Sequence, residues 1–241
     1  MTTKYHLTTI CLSLGMTSAQ AELLGHWKFD EIANASIAAN EVGDNDGEVR
    51  SGITTGETGI IGNAYLFDGT SEGNIPVIAG GNELTFSCWV KTSSAGSAQA
   101  AITLSDNTST DQYFQLGLDN SGNARCVARS VAYNAAVTTA YNDDNWHHFA
   151  ATFHFEDGQE TTTLYVDGEL KNILTESDDA PTNLNDFHVG SLIRSSGIVD
   201  LFTGLIDDVQ VYNEAIGADG IAFLFDNPGE TFSTLDSDED G

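Results

Sequence analysis

The stretch Phe202-Thr203-Gly204-Leu205-Ile206-Asp207-Asp208-Val209-Gln210-Val211-Tyr212-Asn213 decides the fold. Read as a strand, its period-2 alternation puts Leu205, Asp207, Val209 and Val211 on one face, so a carboxylate stands in an otherwise apolar row. An ionised Asp on a buried face requires a cation or several hydrogen-bond donors, because an unpaired buried charge is strongly destabilising. Asp207 therefore has two readings. It ligates a cation, or it accepts backbone N–H groups and locks the strand.

The same alternation recurs outward along the chain. Leu84, Phe86, Cys88 and Val90 alternate with Thr85, Ser87, Trp89 and Lys91, and Trp27 and Phe29 oppose Lys28 and Asp30 within residues 23–30. Strands are also predicted near residues 48–50, 64–68, 74–78, 100–104, 113–118, 124–129, 146–155, 161–166, 169–174 and 187–193, with one short helix over 215–225. Turn chemistry separates them, as at Asn45-Asp46-Gly47, Asp119-Asn120-Ser121-Gly122 and Asp167-Gly168. Short strands in quick succession with Gly-rich turns predict an all-β fold, a two-sheet antiparallel β-sandwich.

Charge excludes several functions. The 241 residues carry a net charge of −28 and a pI near 4.1, which repels nucleic acid and anionic membrane surfaces at long range. No run beyond the N-terminus approaches the roughly 20 apolar residues that span a bilayer. Residues 1–21 read as a secretory signal peptide: Lys4 is the positive n-region, residues 7–16 are the apolar h-region and Ala19-Gln20-Ala21 is the cleavage site. The expected product is secreted or at the cell surface.

Export would remove Cys11 and leave Cys88 and Cys126 in an oxidising compartment. A bridge between them would stabilise by roughly 4 kcal/mol, and two buried thiols fit the same strand-like stretches. The tail, residues 229–241, is polar and acidic and is placed outside a domain spanning 22–228. Its end, Asp236-Ser237-Asp238-Glu239-Asp240-Gly241, matches the first half of a calcium loop and resembles the start of a thrombospondin type 3-like repeat. That reading makes the chain a piece of a larger exported protein; the alternative is a plain acidic terminus.

Seven ordered motifs carry a wider resemblance: Trp27-Lys28-Phe29-Asp30-Glu31, Leu66-Phe67-Asp68-Gly69, the 84–91 strand, Trp146-His147-His148-Phe149-Ala150-Ala151-Thr152, Leu164-Tyr165-Val166-Asp167-Gly168, His188-Val189-Gly190 and Gly204 to Val209. Together they resemble a laminin-G-like domain of the concanavalin A-like lectin/glucanase superfamily. The resemblance implies a jelly-roll sandwich in which Trp146-His147-His148 is scaffold and the first and last strands pair. That pairing would bring Asp30 or Glu31 near Asp207, with carbonyls of the 45–47 loop, as a calcium site.

Glucan-cleaving members of the superfamily carry the strand-borne run E-x-D-x-x-E, which is absent here. The expectation is thus a non-catalytic module that binds carbohydrate or another surface ligand, with a glycoside hydrolase and a structural spacer as alternatives. A sugar site needs an exposed ring beside polar groups, and Trp89, Tyr113, Tyr133 and Tyr141 are the candidates.

Overall fold

The computed structural model describes residues 21–70, 73–75, 83–129, 134–177 and 181–233. Tyr133, most of the signal segment and the 236–241 run lie outside the described residues. Chain order is β1 (Leu23–Trp27), β2 (Ile37–Ala38), β3 (Gly47–Glu48), β4 (Ile53–Thr58), β5 (Asn63–Asp68), β6 (Gly73–Ile75), β7 (Glu83–Lys91), β8 (Gln99–Ser105) and β9 (Tyr113–Leu118). There follow β10 (Asn123–Ala128), β11 (Asn134–Ala140), β12 (Trp146–Glu156), β13 (Gln159–Val166), β14 (Glu169–Glu176), β15 (Asp186–Val189), β16 (Leu192–Arg194), β17 (Gly197–Val199), β18 (Thr203–Tyr212) and the helix α1 (Ala218–Asp226).

Two eight-stranded antiparallel sheets form the predicted sandwich. The first runs β14-β13-β12-β7-β18-β5-β4 with β1 as its eighth strand on β18, and the second runs β11-β10-β9-β8-β15-β6-β3-β2. In the first sheet β18 is the keystone: it pairs with β7 on one side and, on the other, with β5 at residues 203–206 and β1 at 209–212. First and last strands do pair. Phe86, Phe149 and Phe153 from the first sheet meet Phe114, Leu116 and Phe187 from the second in one core cluster. Phe86 packs edge-on to Phe187 at 6.0 Å between ring centroids.

Beyond β18 the chain turns back over the outer face of the first sheet. Ile221 and Leu224 of α1 bury against Tyr212, Ile216, Ala150 and Tyr165, a second apolar cluster outside the sandwich core. Pro228 follows the Asn227 C-cap, where proline cannot continue a helix. Residues 229–232 then stay on the sheet: the Gly229 amide donates to Asp208, Gln210 Nε2 donates to the Glu230 carbonyl, and the Phe232 amide donates to the Tyr212 hydroxyl. The folded unit therefore extends past residue 228, because buried polar groups of β18 need these partners.

The register of β18 also differs from simple alternation. A bulge between Asp207 and Gln210 inserts one residue, and Asp208 takes up a left-handed φ of 48°. Ile206, Val209 and Val211 consequently face the core, while Asp207 points to the outer face beside Leu205. The apolar row expected to contain Asp207 does not.

Of the two readings left open by the sequence, Cys88 and Cys126 are placed here as free buried thiols. Each points inward from a different sheet. Facing sheets stack about 10 Å apart, beyond the roughly 7 Å between Cα atoms that a disulfide spans.

Candidate functional site

Asp207 is fully buried, and both of its carboxylate oxygens accept main-chain amides. Its Oδ2 accepts the amides of Ile60 (2.9 Å) and Ile61 (3.4 Å), and Oδ1 accepts that of Asp208 (2.8 Å). Asp30 grips the other flank of the same β4–β5 turn through the Asn63 amide at 2.8 Å. The turn passes so close that a Cβ on Gly59 would meet the Asp207 carboxylate, and one on Gly62 that of Asp30. Glu31 points elsewhere, to the Ala39 amide and the Tyr65 hydroxyl, both at 2.6 Å. Asp30, Glu31 and Asp207 thus serve separate protein donors, and among the described residues no three acidic, His or Cys side chains converge as a metal would require. They do not fit a calcium centre, and Asp207 fits the amide-accepting reading.

Burial pushes Asp207 up to about 7, against the Ile61 and Ile60 amides that favour its charged form. Its neighbour behaves differently. Burial also disfavours the Asp208 charge, but His26 Nε2 at 2.7 Å and the Gly229 amide outweigh it and hold Asp208 below the usual carboxylate range.

The aromatic candidates are mostly covered. Trp89 is 6% exposed, stacked under Phe225 of α1 at 5.6 Å and flanked by His148. Tyr113 is 2% exposed, packed with Leu192 on the outer face of the second sheet under the Arg194 guanidinium. Tyr141 is half-buried, edge-on to His147 at 5.0 Å and to Phe149 at 5.9 Å. His148 is the buried member of its pair, bonded to Ser87 Oγ at 2.8 Å, while His147 sits between Asp143 and Asp167.

A different set of residues forms an open site at the sandwich rim. The ladders place Leu66, Leu205, Lys91 and Trp146 in one cross-strand row on the outer face of the first sheet, all four half-buried. Above three of them opens a cleft of about 440 Å³, lined by Leu66, Lys91, Leu205, residues 92–94, Asp144, Thr203 and Gly204. It adjoins a polar hollow of about 320 Å³ that shares Ser94 and Thr203 and adds Ser97, Gln99 and Asp200. These volumes fall in the roughly 300–1,000 Å³ range of small-ligand sites.

The walls are braced before any ligand arrives. Thr92 Oγ1 donates to the Thr203 carbonyl (2.6 Å), the Thr203 amide to Gln99 Oε1 (2.9 Å), and Asn142 Nδ2 to the Ser94 carbonyl (3.1 Å). Asp200 is fixed by Arg125 at 3.1 Å and Gln115 at 3.0 Å, both on its Oδ2. Sequence reading missed Trp146 as a surface ring. Its parity with His148 was legible, but which neighbours leave it uncovered depends on the β7–β12 register.

The two facing sheets define a β-sandwich domain. The chain belongs to the concanavalin A-like lectin/glucanase superfamily, whose laminin-G family model matches residues 67–222. Among solved structures it is similar to domain 4 of AbnA, an extracellular GH43 arabinanase from Geobacillus stearothermophilus in complex with arabinotriose: 22% identity, TM-score 0.66, covering 85% of this chain and 98% of that one. The CBM40 of the Ruminococcus gnavus IT-sialidase, bound to α2,3 sialyllactose, is similar at 22% identity and TM-score 0.51, over 61% and 84% of the two chains. Trypanosoma rangeli sialidase matches at 18% identity and TM-score 0.63, over 84% of this chain but only 32% of its own length. No significant relative is found among curated protein sequences.

Proposed function

We propose that the chain is an exported, non-catalytic carbohydrate-binding module whose ligand lies along the rim cleft beside Trp146. The observation that carries this reading is the juxtaposition of the half-buried Trp146, directly opposite Lys91, with a braced cleft that adjoins a polar hollow. An apolar ring face against sugar C–H groups, next to fixed hydroxyl and carbonyl partners, is how a protein holds a polyol without a deep pocket. Two of the similar structures contain bound oligosaccharides, which supports the ligand class. The signal-like segment 1–21 supports export. For the absence of catalysis, the support is that the adjacent carboxylates Asp207 and Asp208 are buried and fully engaged with His26 and backbone amides.

A glycan-array screen followed by calorimetry of each hit tests the proposal. The expected result is saturable binding of at least one oligosaccharide, with no reducing-sugar release. Silence across the array, or turnover of a bound glycan, would contradict it.

A further inference from the structure

We infer that Asp200 sets the specificity of the cleft by accepting hydrogen bonds from hydroxyls of an uncharged sugar, so that the ligand is a neutral glycan rather than a carboxylated one. This inference rests on the carbohydrate reading above.

Asp200 lies where the polar hollow meets the outer face of the second sheet. Its Oδ2 is filled by Arg125 and Gln115, whereas its Oδ1 makes no hydrogen bond to any described residue. A carboxylate oxygen only accepts, and its two lone pairs can take hydroxyl donors from adjacent ring carbons. The backbone fixes the position of this carboxylate. Asp200 adopts φ 52°, uncommon for a residue with a side chain, and its carbonyl is held by the Ala100 amide at 2.7 Å.

The charges point the same way. Arg125 is buried, with its Nη2 bonded to Asp200 and Gln115 and its Nε without a partner and sealed from solvent, and the Asp200 carboxylate offsets its charge. Asp144 adds a second carboxylate at the larger cleft, where Lys91 is the cation, and the whole chain carries −28. A carboxylated sugar seated here would face like charge at Asp200 and across the surrounding field, which rejects it. Hydroxyls of a neutral sugar meet an acceptor already oriented.

Calorimetry on the whole chain tests this with neutral linear trisaccharides of arabinose, glucose, galactose and mannose beside sialyllactose and trigalacturonic acid. At least one neutral trisaccharide is expected to bind at least tenfold more tightly than either acidic probe, and Asp200→Asn to weaken it at least tenfold. Because that variant also disturbs Arg125, deoxy analogues of the bound sugar serve as a second measurement. One deoxy analogue should lose at least tenfold on the wild type and little more on Asp200→Asn. Tighter binding of an acidic probe overturns the inference, as does neutral binding that neither Asp200→Asn nor any deoxy analogue weakens; both leave the carbohydrate reading standing. Failure of every probe to bind overturns both.

Discussion

Asp207 and His148 are the two direct cross-strand neighbours of Trp89, one on β18 and one on β12, and burial drives both toward their neutral forms. It raises Asp207 to about 7 and lowers His148 to about 4, the latter against the nearby Asp208 and Asp167 charges. The consequences for stability run in opposite directions. Asp207, raised above its unfolded value, contributes stability that is complete below about pH 4 and is lost as pH rises through 7. His148, depressed, contributes stability that is present above about pH 6.5 and is lost as pH falls from there toward 4.

Urea unfolding at intervals from pH 4.5 to 8 separates the two. The stability of wild type minus that of Asp207→Asn is expected to fall with rising pH up to about 7, by at most roughly 1.4 kcal/mol per pH unit. Wild type minus His148→Gln should instead rise between about 4 and 6.5. Two pH-independent differences would mean that neither group is held neutral by its surroundings.

The grip of Asp207 on the Ile60 and Ile61 amides gives a second expectation. At pH 8, the change in stability on Asp207→Asn should be the same in calcium and in chelator, since the interactions altered are with backbone donors. A chain ending at Ser233 removes the acidic run 236–240 from the comparison. A loss confined to calcium-containing buffer would instead assign a metal to this carboxylate.

Removal of residues 228–233 should destabilise by about 3 kcal/mol or more. It strips partners from buried Asp208, Gln210 and Tyr212, and a deserted buried acceptor or donor costs roughly 1–3 kcal/mol. Truncation after Ser233 should leave the melting temperature within a degree or two of the full chain. Equal stability of the two truncated chains would place residues 228–233 outside the folded unit.

The two cysteines should titrate as thiols without reductant, unreactive in the native protein and both reactive in denaturant, because both are buried in the core. Burial pushes each well above the ordinary thiol range and so suppresses the nucleophilic thiolate. Absence of any reactive thiol in denaturant would establish a bridge.

Much of the fold was legible locally. Alternation at 84–91 reads directly as β7, since a strand writes its two faces into every second residue. The seven ordered motifs specified the sandwich, and the pairing of β1 with β18 followed from the resemblance they carry. What failed to read out depends on long-range contact. A one-residue bulge at Asp208 inverted the face of Asp207, and no local signal announces a bulge without glycine. Whether Trp89 or Trp146 is the open ring depends on where α1 lands, 130 or so residues beyond the first of them. The rim site shares this difficulty: Lys91, Trp146 and Leu205 lie far apart in the chain and meet only through the ladders of β7, β12 and β18.

The claim that the rim cleft beside Trp146 is the glycan site is tested most directly by a tryptophan-fluorescence titration. Of the three tryptophans, Trp27 and Trp89 are sealed in the fold and Trp146 alone is half-exposed. Addition of the tightest glycan from the array should shift the emission saturably, with the affinity measured by calorimetry, and Trp146→Phe should abolish the shift. Calorimetric binding with no emission change, or a shift that survives in Trp146→Phe, would contradict the assignment and place the ligand elsewhere on the sandwich.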